Sequence, residues 1–447
     1  MLGNKSYNER GCLTIAGCDL ATLGQELGTP LYIIDEDWLR QTMREYRSAF
    51  ARFYPDSTIA YAGKAFLTSA LCRILLEEGL WLDTVSGGEF YLAMQSGFST
   101  SRILFHGNNK QEQEIDIVFN EGIGRWVVDS EQELDMLLNE APRSRKGKLP
   151  LFFRITPGID PHTHEFITTG RVDSKFGLPL VEGIAHRVIE RSLQSGLFEI
   201  KGLHCHIGSQ VASLDPFLKT VDAMVEFMVA FRQATGYIFA ELDVGGGLGV
   251  PYLDEEEGRF PTIEEYAQAV SVRLRERCRK AGYPLPHLFV EPGRSIVNIA
   301  GSTLYRVGTV KRIPGVKTYV AVDGGMTDNP RPILYGARYQ AQIVNRFPGD
   351  GARESFSIVG KCCESGDVII PETVMAPIEP GDYLLVEGTG AYNYSMASNY
   401  NYLPRPGVVF LSGGVARLVV RPENWYDLIR RDITPEELQV GEQTATE

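Results

Sequence analysis

Short apolar segments alternate eight times with amphipathic segments between residues 55 and 295, and this alternation restricts the possible fold more than any other feature. The apolar segments predict eight strands: Thr58–Ala62, Trp81–Val85, Arg102–Phe105, Trp126–Val128, Leu149–Ile155, Ile200–His206, Leu242–Val244 and Leu288–Val290. The connecting segments have the apolar spacing of helices. Eight β-then-α units predict an α/β fold, a (β/α)₈ TIM-type barrel. An open, doubly wound parallel sheet is the alternative, because it uses the same alternation.

After residue 300 the pattern changes to β-branched segments separated by glycine and proline, such as KTYVAVDGG and PGDYLLVEG. This pattern predicts a second, all-β domain of the sandwich or barrel-like type, which the N-terminal segments LTIAG and PLYII join. We therefore place the barrel at residues 30–295 and the β-domain at residues 1–29 plus 296–447. A chain of 447 residues is long enough for two such domains.

Composition excludes several classes of function. The formal net charge of −13 argues against a nucleic-acid surface. No apolar segment approaches the roughly 18 residues of a membrane span, and the first residues have no pattern of a signal peptide. Seven cysteines with scattered spacing are typical of a reducing compartment rather than of a disulfide framework. We expect a cytoplasmic protein that binds neither nucleic acid nor membrane.

Reactive residues follow the predicted strands, at the barrel end where active sites form. In chain order they are Lys64, Asp83, His106, Asp129, Arg154, His206, the Gly245–Gly247 triplet and Glu291. A lysine can form a Schiff base with an aldehyde, and consecutive glycines let backbone N–H groups converge on an anion. Gly293 and Arg294 of EPGR and Ser209 of HCHIGSQ are further candidates for a phosphate site. Because Glu291 can bind a protonated ring nitrogen, the set predicts a pyridoxal-phosphate site.

Paired histidines allow a different hypothesis, a barrel metallohydrolase. His204 and His206 point to the same side of a strand, and His162 and His164 repeat the spacing. Metal ligation would leave Lys64, the glycines and EPGR without a function. We therefore expect no metal.

The ordered motifs YAGKA, DTVSGGE, FHGNNK, HTHEFITTGRVDSKFG, HCHIGSQ, DVGGGLG, EPGR, CCESGD and GAYNYSMASNYN resemble those of the diaminopimelate decarboxylases. That family belongs to the alanine racemase-like, fold type III pyridoxal-phosphate enzymes, and the similarity extends from about residue 28 to 420. It implies decarboxylation of meso-2,6-diaminopimelate to L-lysine and CO₂, the last step of lysine biosynthesis. A related basic amino acid decarboxylase, acting on ornithine, arginine or lysine, is the alternative. A pyridoxal-phosphate carrier without catalysis is a third hypothesis.

The resemblance also implies roles for individual residues. Lys64 would carry pyridoxal 5'-phosphate, His206 would stack on its ring, and Glu291 would bind its ring nitrogen. The remaining cofactor residues would be Asp83, Ser209, Gly245, Gly246, Gly247, Gly293, Arg294 and Tyr392. The substrate residues would be Arg294, Arg331, Tyr335, Glu364 and Tyr392. Arginine suits a distal carboxylate because its fork can bind both oxygens.

A homodimer with shared active sites is the last implication of the resemblance. The CCESGD loop would reach into the partner's site, where Cys363 would donate a proton and Glu364 would hold the distal ammonium group. Asp367 would pair with Lys175 across the interface. The chain departs from the family pattern at Phe66, where Asn is common, and in VDGGMTDNP. Both departures bear on the walls of the pocket and so on specificity.

Overall fold

The computed structural model describes residues 3–141, 147–159, 174–349 and 351–435. Eight parallel strands form a closed barrel: β1 (Ser57–Ala62), β2 (Trp81–Thr84), β3 (Ile103–Phe105), β4 (Arg125–Val128), β5 (Pro150–Thr156), β6 (Glu199–Cys205), β7 (Glu241–Asp243) and β8 (His287–Val290). Each strand pairs with the next along the chain, and β8 pairs with β1. The predicted TIM-type barrel is confirmed, and closure excludes the open sheet.

Helices follow the eight strands: Ser69–Glu77, Gly87–Gln95, Glu112–Glu121, Glu131–Glu140, Ile184–Ser195, Asp215–Thr235, Ile263–Ala281 and the short Arg294–Val297. Local signals begin several of them. The Ser130 hydroxyl accepts a hydrogen bond from the backbone N–H of Glu133, and Thr262 and Glu265 form a reciprocal capping box. The helix Glu36–Phe53 precedes β1 and packs against Ile263–Ala281.

Side chains on the strands alternate between the inside and the outside of the barrel, so its interior consists of layers. One layer is apolar and buried, and its members are Ala60, Leu104, Val127, Phe152 and Phe289. Two residues beyond four of these five positions stand polar side chains at the carboxyl end of the barrel: His106, Asp129, Arg154 and Glu291. The apolar layer therefore closes the floor beneath the polar layer.

The second domain is built on a long mixed sheet. Its order is Val368–Met375, Glu354–Val359, Lys317–Val322, Gly301–Ile313, Leu31–Asp35, Gly407–Ser412 and Val415–Val420. Tyr383–Glu387 pairs with Gly301–Ile313 and with Ala341–Ile343. The other described helices are Leu20–Leu27, Arg331–Tyr335 and Trp425–Ile429. A second all-β domain is thus confirmed.

The N-terminal segments join this region in two ways. Leu31–Asp35, from the PLYII segment, lies inside the long sheet, beyond the boundary that we predicted at residue 30. Leu13–Ile15, from LTIAG, instead forms a separate sheet with Lys5–Tyr7 and Cys18–Asp19. This small sheet is attached to the β-domain by a hydrogen bond of 2.8 Å from the Leu13 N–H to the carbonyl of Val344. The exact domain boundaries stay a prediction.

The β-domain reaches the end of the barrel through a loop that follows Tyr383–Glu387. The Tyr392 N–H donates to the carbonyl of Ala65 at 2.8 Å, and the Ser395 hydroxyl donates to the carbonyl of Lys64 at 2.9 Å. This contact places Tyr392 beside the barrel opening. Among the described residues, no helix is long and apolar enough to cross a membrane.

Candidate active site

Two adjoining cavities lie at the carboxyl ends of the barrel strands and share Lys64, Asp83, His206 and Glu291 in their walls. The larger has a volume of about 540 Å³. The smaller extends towards the β-domain, and its further lining includes Ser209, Gly247, Gly293, Arg294 and Tyr392. The structure therefore brings together most of the residues that the sequence predicts for the cofactor.

Lys64 lies in a single 3₁₀ turn, Gly63–Ala65, directly after β1. A side chain at Gly63 is excluded, because a Cβ atom there would lie 2.9 Å from the carbonyl oxygen of Asp83. The turn is held from the other side by Ser395. The lysine is thus fixed at its backbone while its amine faces the cavity.

Glu291 lies at the centre of the polar layer and is buried. Its two carboxylate oxygens contact His106 Nε2 at 2.7 Å and His204 Nε2 at 3.0 Å. Burial by itself raises the pKa of Glu291, but the interactions with His106 and His204 outweigh it and hold the pKa well below the usual value. Burial also lowers the pKa of His204, to about 3. The arrangement therefore contains an ionised Glu291 and a neutral His204.

Two buried aspartates surround this group. Burial raises the pKa of Asp83 and, more strongly, that of Asp243. Asp83 Oδ1 lies 3.6 Å from His106 Nε2 and has no hydrogen-bond partner among the described residues. Buried polar atoms without partners are uncommon in folded proteins. An unmet oxygen on the cavity wall therefore marks a place where a bound molecule can supply a donor.

His206 lies directly after the end of β6 and makes different contacts from His204. Its Nδ1 accepts a hydrogen bond of 3.3 Å from the N–H of Gly246. Burial, followed by the positive charges of Lys64 and Arg154, lowers the pKa of His206 well below its ordinary value. A neutral imidazole lining both cavities can lie flat against an aromatic ring.

The glycine triplet after β7 leaves no space for side chains. A Cβ atom at Gly245, Gly246 or Gly247 would lie 2.5, 2.0 or 2.4 Å from a backbone carbonyl oxygen. Gly245 and Gly247 also have positive φ angles of 68° and 121°, which side chains disfavour. The N–H groups of Gly245 and Gly246 donate to Asp243 Oδ1 at 2.8 Å and to His206 Nδ1 at 3.3 Å. Because the loop carries no side chains, an anion can still approach its backbone closely.

Arg294 completes the anion side of the smaller cavity. Its Nε donates to the Ser209 hydroxyl at 3.0 Å, its Nη1 donates to the Tyr252 hydroxyl, and its guanidinium carbon lies 4.8 Å from the Tyr392 ring centre. With the unmet oxygen of Asp83, these features fit pyridoxal phosphate. The basic side chain and the glycine loop suit its phosphate, and the lysine suits its aldehyde.

Arg331 lies next to this anion site. It is only 8% exposed, and its Nε has no hydrogen-bond partner in the described part of the chain. Its guanidinium carbon lies 5.8 Å from the ring centre of Tyr252, 5.7 Å from that of Tyr392 and 5.5 Å from that of Tyr335. Tyr335 is 64% exposed. Arg331 and Arg294 thus share two tyrosine neighbours, and Arg331 keeps a donor for another anionic group.

The CCESGD loop lies apart from the cavities. Cys363 is exposed, and its N–H donates to the Asn401 side chain at 2.8 Å. Neither Cys363 nor Glu364 lines either cavity. Cys362, the neighbour of Cys363 in the loop, is buried. The structure therefore does not bring Cys363 to the Lys64 of its own chain.

Asp367 is buried within its own chain, at 4% exposure. Its carboxylate accepts hydrogen bonds from the N–H groups of Met326 at 2.7 Å and Cys362 at 2.9 Å. Lys175 lies with its amine 4.8 Å from the ring centre of Phe176. The pairing of Asp367 with Lys175 across an interface stays a prediction, and the burial of Asp367 gives it no support.

Of the two histidine pairs in the metallohydrolase hypothesis, the described pair makes two different sets of contacts. His204 contacts Glu291, whereas His206 contacts the glycine loop. His162 and His164 lie outside the described residues. A different trio, His106, His204 and Glu291, places its candidate ligand atoms within 4.8 Å of one another.

Comparison with known proteins identifies the class. Residues 37–298 match the family model described as "Pyridoxal-dependent decarboxylase, pyridoxal binding domain". A diaminopimelate decarboxylase of Bacillus subtilis (strain 168) is 42% identical over 431 residues, which cover 96% of this chain and 97% of the relative. The predictions of a pyridoxal-phosphate enzyme and of a decarboxylase are confirmed.

Solved structures agree with this class. The crystal structure of diaminopimelate decarboxylase from M. jannaschii in co-complex with L-lysine has 34% sequence identity and a TM-score of 0.91, covering 98% of this chain and 100% of that one. A lysine/ornithine decarboxylase from Vibrio vulnificus, complexed with cadaverine, has 22% identity and a TM-score of 0.74 over 88% of this chain and 97% of that one. The second similarity shows the fold alone. The chain belongs to the diaminopimelate decarboxylase family.

Sequence reasoning missed Tyr252, and it missed that His106 and His204, although named as candidates, contact Glu291. Tyr252 bonds to Arg294 and packs near Arg331. His106 and His204 hold Glu291. Signals for them were present, because Tyr252 follows the glycine triplet, His106 begins HGNNK, and His204 begins HCHIGSQ.

We predict that Gly246→Ala weakens cofactor binding at least tenfold, which corresponds to about 1.4 kcal/mol. The added methyl group would lie 2.0 Å from the carbonyl oxygen of Glu291, so the loop must move. Titration of the cofactor-free protein with pyridoxal phosphate, followed by absorbance, measures the effect. Gly308→Ala is the matched control, since its nearest atom would be 3.8 Å away. Equal affinities of both variants for the cofactor would contradict a role of the glycine loop in binding its phosphate.

Proposed function

We propose that the protein is a carboxy-lyase that converts meso-2,6-diaminopimelate to L-lysine and CO₂, the last step of lysine biosynthesis. The observation that carries the proposal is the buried Arg331, whose Nε lacks a partner next to the anion site of Arg294 and Tyr392. Diaminopimelate carries a second amino-acid head with a carboxylate, whereas the basic amino acids end in a cationic group alone. A buried guanidinium with an unused donor suits the former substrate.

In this proposal the cofactor residues divide into three groups. Lys64 would hold the aldehyde end, His206 would stack on the ring, and Glu291 would accept a hydrogen bond from the ring nitrogen. The bound cofactor supplies an electron sink for the charge that departing CO₂ leaves behind. The phosphate would be held by Ser209, Gly245, Gly246, Gly247, Gly293, Arg294 and Tyr392, and Asp83 would lie beside the ring. All of these except Gly245 and Gly246 line the smaller cavity.

The substrate is oriented by its distal end. Arg331, assisted by Arg294, binds the distal carboxylate, and Tyr335 and Tyr392 contribute to the same subsite. Glu364 binds the distal ammonium group. The five residues together recognise an amino acid at the far end of the substrate rather than an amine alone.

We further propose a cytoplasmic homodimer in which the CCESGD loop of each chain completes the site of the other. Cys363 then donates the proton that replaces CO₂. In support, Cys363 is exposed and does not line the cavities of its own chain. All seven cysteines are free, as a reducing compartment requires.

The competing function is decarboxylation of a basic amino acid. Release of CO₂ from diaminopimelate, lysine, ornithine and arginine, measured in parallel on one preparation, distinguishes the two functions. We expect release from diaminopimelate to dominate. Greater release from ornithine, arginine or lysine would overturn the proposed substrate, and no release from any of the four would favour a carrier without catalysis.

Arg331→Ala tests specificity directly. We expect this variant to lose about 2–5 kcal/mol of transition-state stabilisation with diaminopimelate, because a charge-assisted pair is lost. The loss is measured as a decrease in kcat/KM. Residual activity on lysine should fall much less, since lysine has no distal carboxylate. Arg338→Ala is the control, because Arg338 is exposed and pairs only with an exposed glutamate in the described structure. Equal losses on both substrates would show that Arg331 has a structural role.

Mixing two inactive variants tests the shared site. Lys64→Ala and Cys363→Ala should each be severely impaired, one lacking the amine and the other the proton donor. Refolding them together should restore about a quarter of wild-type activity, because half of the dimers are mixed and each contains one intact site.

Different affinity tags on the two chains verify that mixed dimers have formed. Each variant refolded alone is the control for spontaneous recovery. No gain of activity in a preparation that contains verified mixed dimers would exclude the shared site.

A further inference from the structure

Two histidines from different strands hold the central carboxylate of the site. His106 Nε2 lies 2.7 Å from Glu291 Oε1, and His204 Nε2 lies 3.0 Å from Glu291 Oε2. All three side chains are at most 6% exposed. Because an ionised carboxylate only accepts hydrogen bonds, both Nε2 atoms must carry the protons. Two donors on two oxygens fix the orientation of the Glu291 side chain.

The surroundings of His204 favour the same proton position. Its Nδ1 is buried and has no hydrogen-bond partner among the described residues. A proton on Nδ1 would be a buried donor without an acceptor, which is costly. The proton therefore belongs on Nε2, and the ring is the neutral tautomer that donates to Glu291. His106 Nε2 faces a second acceptor, Asp83 Oδ1, at 3.6 Å.

We propose that His106 and His204 are positioning residues that keep Glu291 ionised and aimed at the ring nitrogen of the bound cofactor. The inference rests on the proposed role of Glu291. Each carboxylate oxygen offers two lone pairs, so an oxygen that already bonds to an imidazole can accept from the ring nitrogen as well. A carboxylate fixed in this way stabilises the protonated ring nitrogen, on which the electron-accepting strength of the cofactor depends.

A metal ion is the competing interpretation of the same three side chains. Zinc takes unprotonated nitrogen and carboxylate ligands at about 2.0–2.2 Å from the ion. In the structure the nitrogen and oxygen atoms instead contact each other directly, at hydrogen-bond distance. The geometry therefore favours hydrogen bonds over a shared cation.

The test uses donor-free and donor-retaining variants at both positions. His106→Leu and His204→Leu remove the donor, whereas His106→Gln and His204→Gln keep a side-chain N–H. Each protein is reconstituted with pyridoxal phosphate labelled with ¹⁵N in the ring, and the ¹⁵N resonance at neutral pH reports whether that nitrogen is protonated. His287→Gln is the matched control, because His287 also bonds to a carboxylate, that of Asp56, but at the opposite end of the barrel.

We expect the wild type, the glutamine variants and His287→Gln to show a protonated ring nitrogen. The leucine variants should shift towards the unprotonated position and bind the cofactor about tenfold more weakly, since each loses a hydrogen bond to a buried charge. Leucine variants that bind the cofactor with an unchanged ring resonance would overturn the inference. Glu291→Gln separates the two proposals: if it too leaves the resonance unchanged, the role of Glu291 itself fails.

A measurement that does not need the leucine variants shows whether His106 and His204 donate hydrogen bonds to Glu291, even if those variants do not fold. The chain has only seven histidines, so ¹⁵N-histidine labelling gives a readable spectrum. We expect both rings to carry a proton on Nε2, the His204 ring to have a bare Nδ1, and the resonances of both rings to move in Glu291→Gln. Unprotonated Nε2 atoms on these two rings, or one tightly bound zinc per chain by elemental analysis, would overturn the inference in favour of a metal site.

Discussion

Closure of the parallel barrel is the constraint on which the rest of the structure depends. In a closed barrel of strands, every second side chain must point into the interior, and the interior positions of neighbouring strands lie in layers. On β8 this places Phe289 in the apolar floor and Glu291 in the polar layer above it. A change of register by one residue would turn both side chains outwards. The chemistry of the site is therefore set by the same alternation that fills the core.

Burial of several ionisable groups in one layer is costly unless their charges are balanced. In this site, similar side chains take different protonation states, which limits the number of buried charges. Glu291 stays ionised between two imidazoles, whereas burial favours the protonated forms of Asp83 and Asp243. Asp83 Oδ1 has no partner among the described residues, and Asp83 lines a cavity. An unsatisfied buried group on a cavity wall is a place where a ligand can supply the missing partner.

The β-domain completes the anion side of the site by contributing side chains that the barrel lacks. Tyr392 reaches the barrel on a loop and adopts a φ of 63°, which is uncommon for a residue with a side chain. The hydrogen bond from its N–H to Ala65 secures that conformation. Its ring then lies near both Arg294 and Arg331. In the proposed site, specificity for the distal end of the substrate therefore depends on side chains of both domains, and binding of the cofactor depends mostly on the barrel.

The sequence by itself determined the eight strands, the all-β second domain and the strand-end residues, because periodicity and turn residues are local signals. Tertiary structure alone decided three matters. It closed the barrel rather than leaving an open sheet, since both use one alternation. It separated His204 from His206, and it joined His106 and His204 to Glu291. Contacts between residues so far apart in the chain depend on how the strands are arranged around the barrel, which no local pattern encodes.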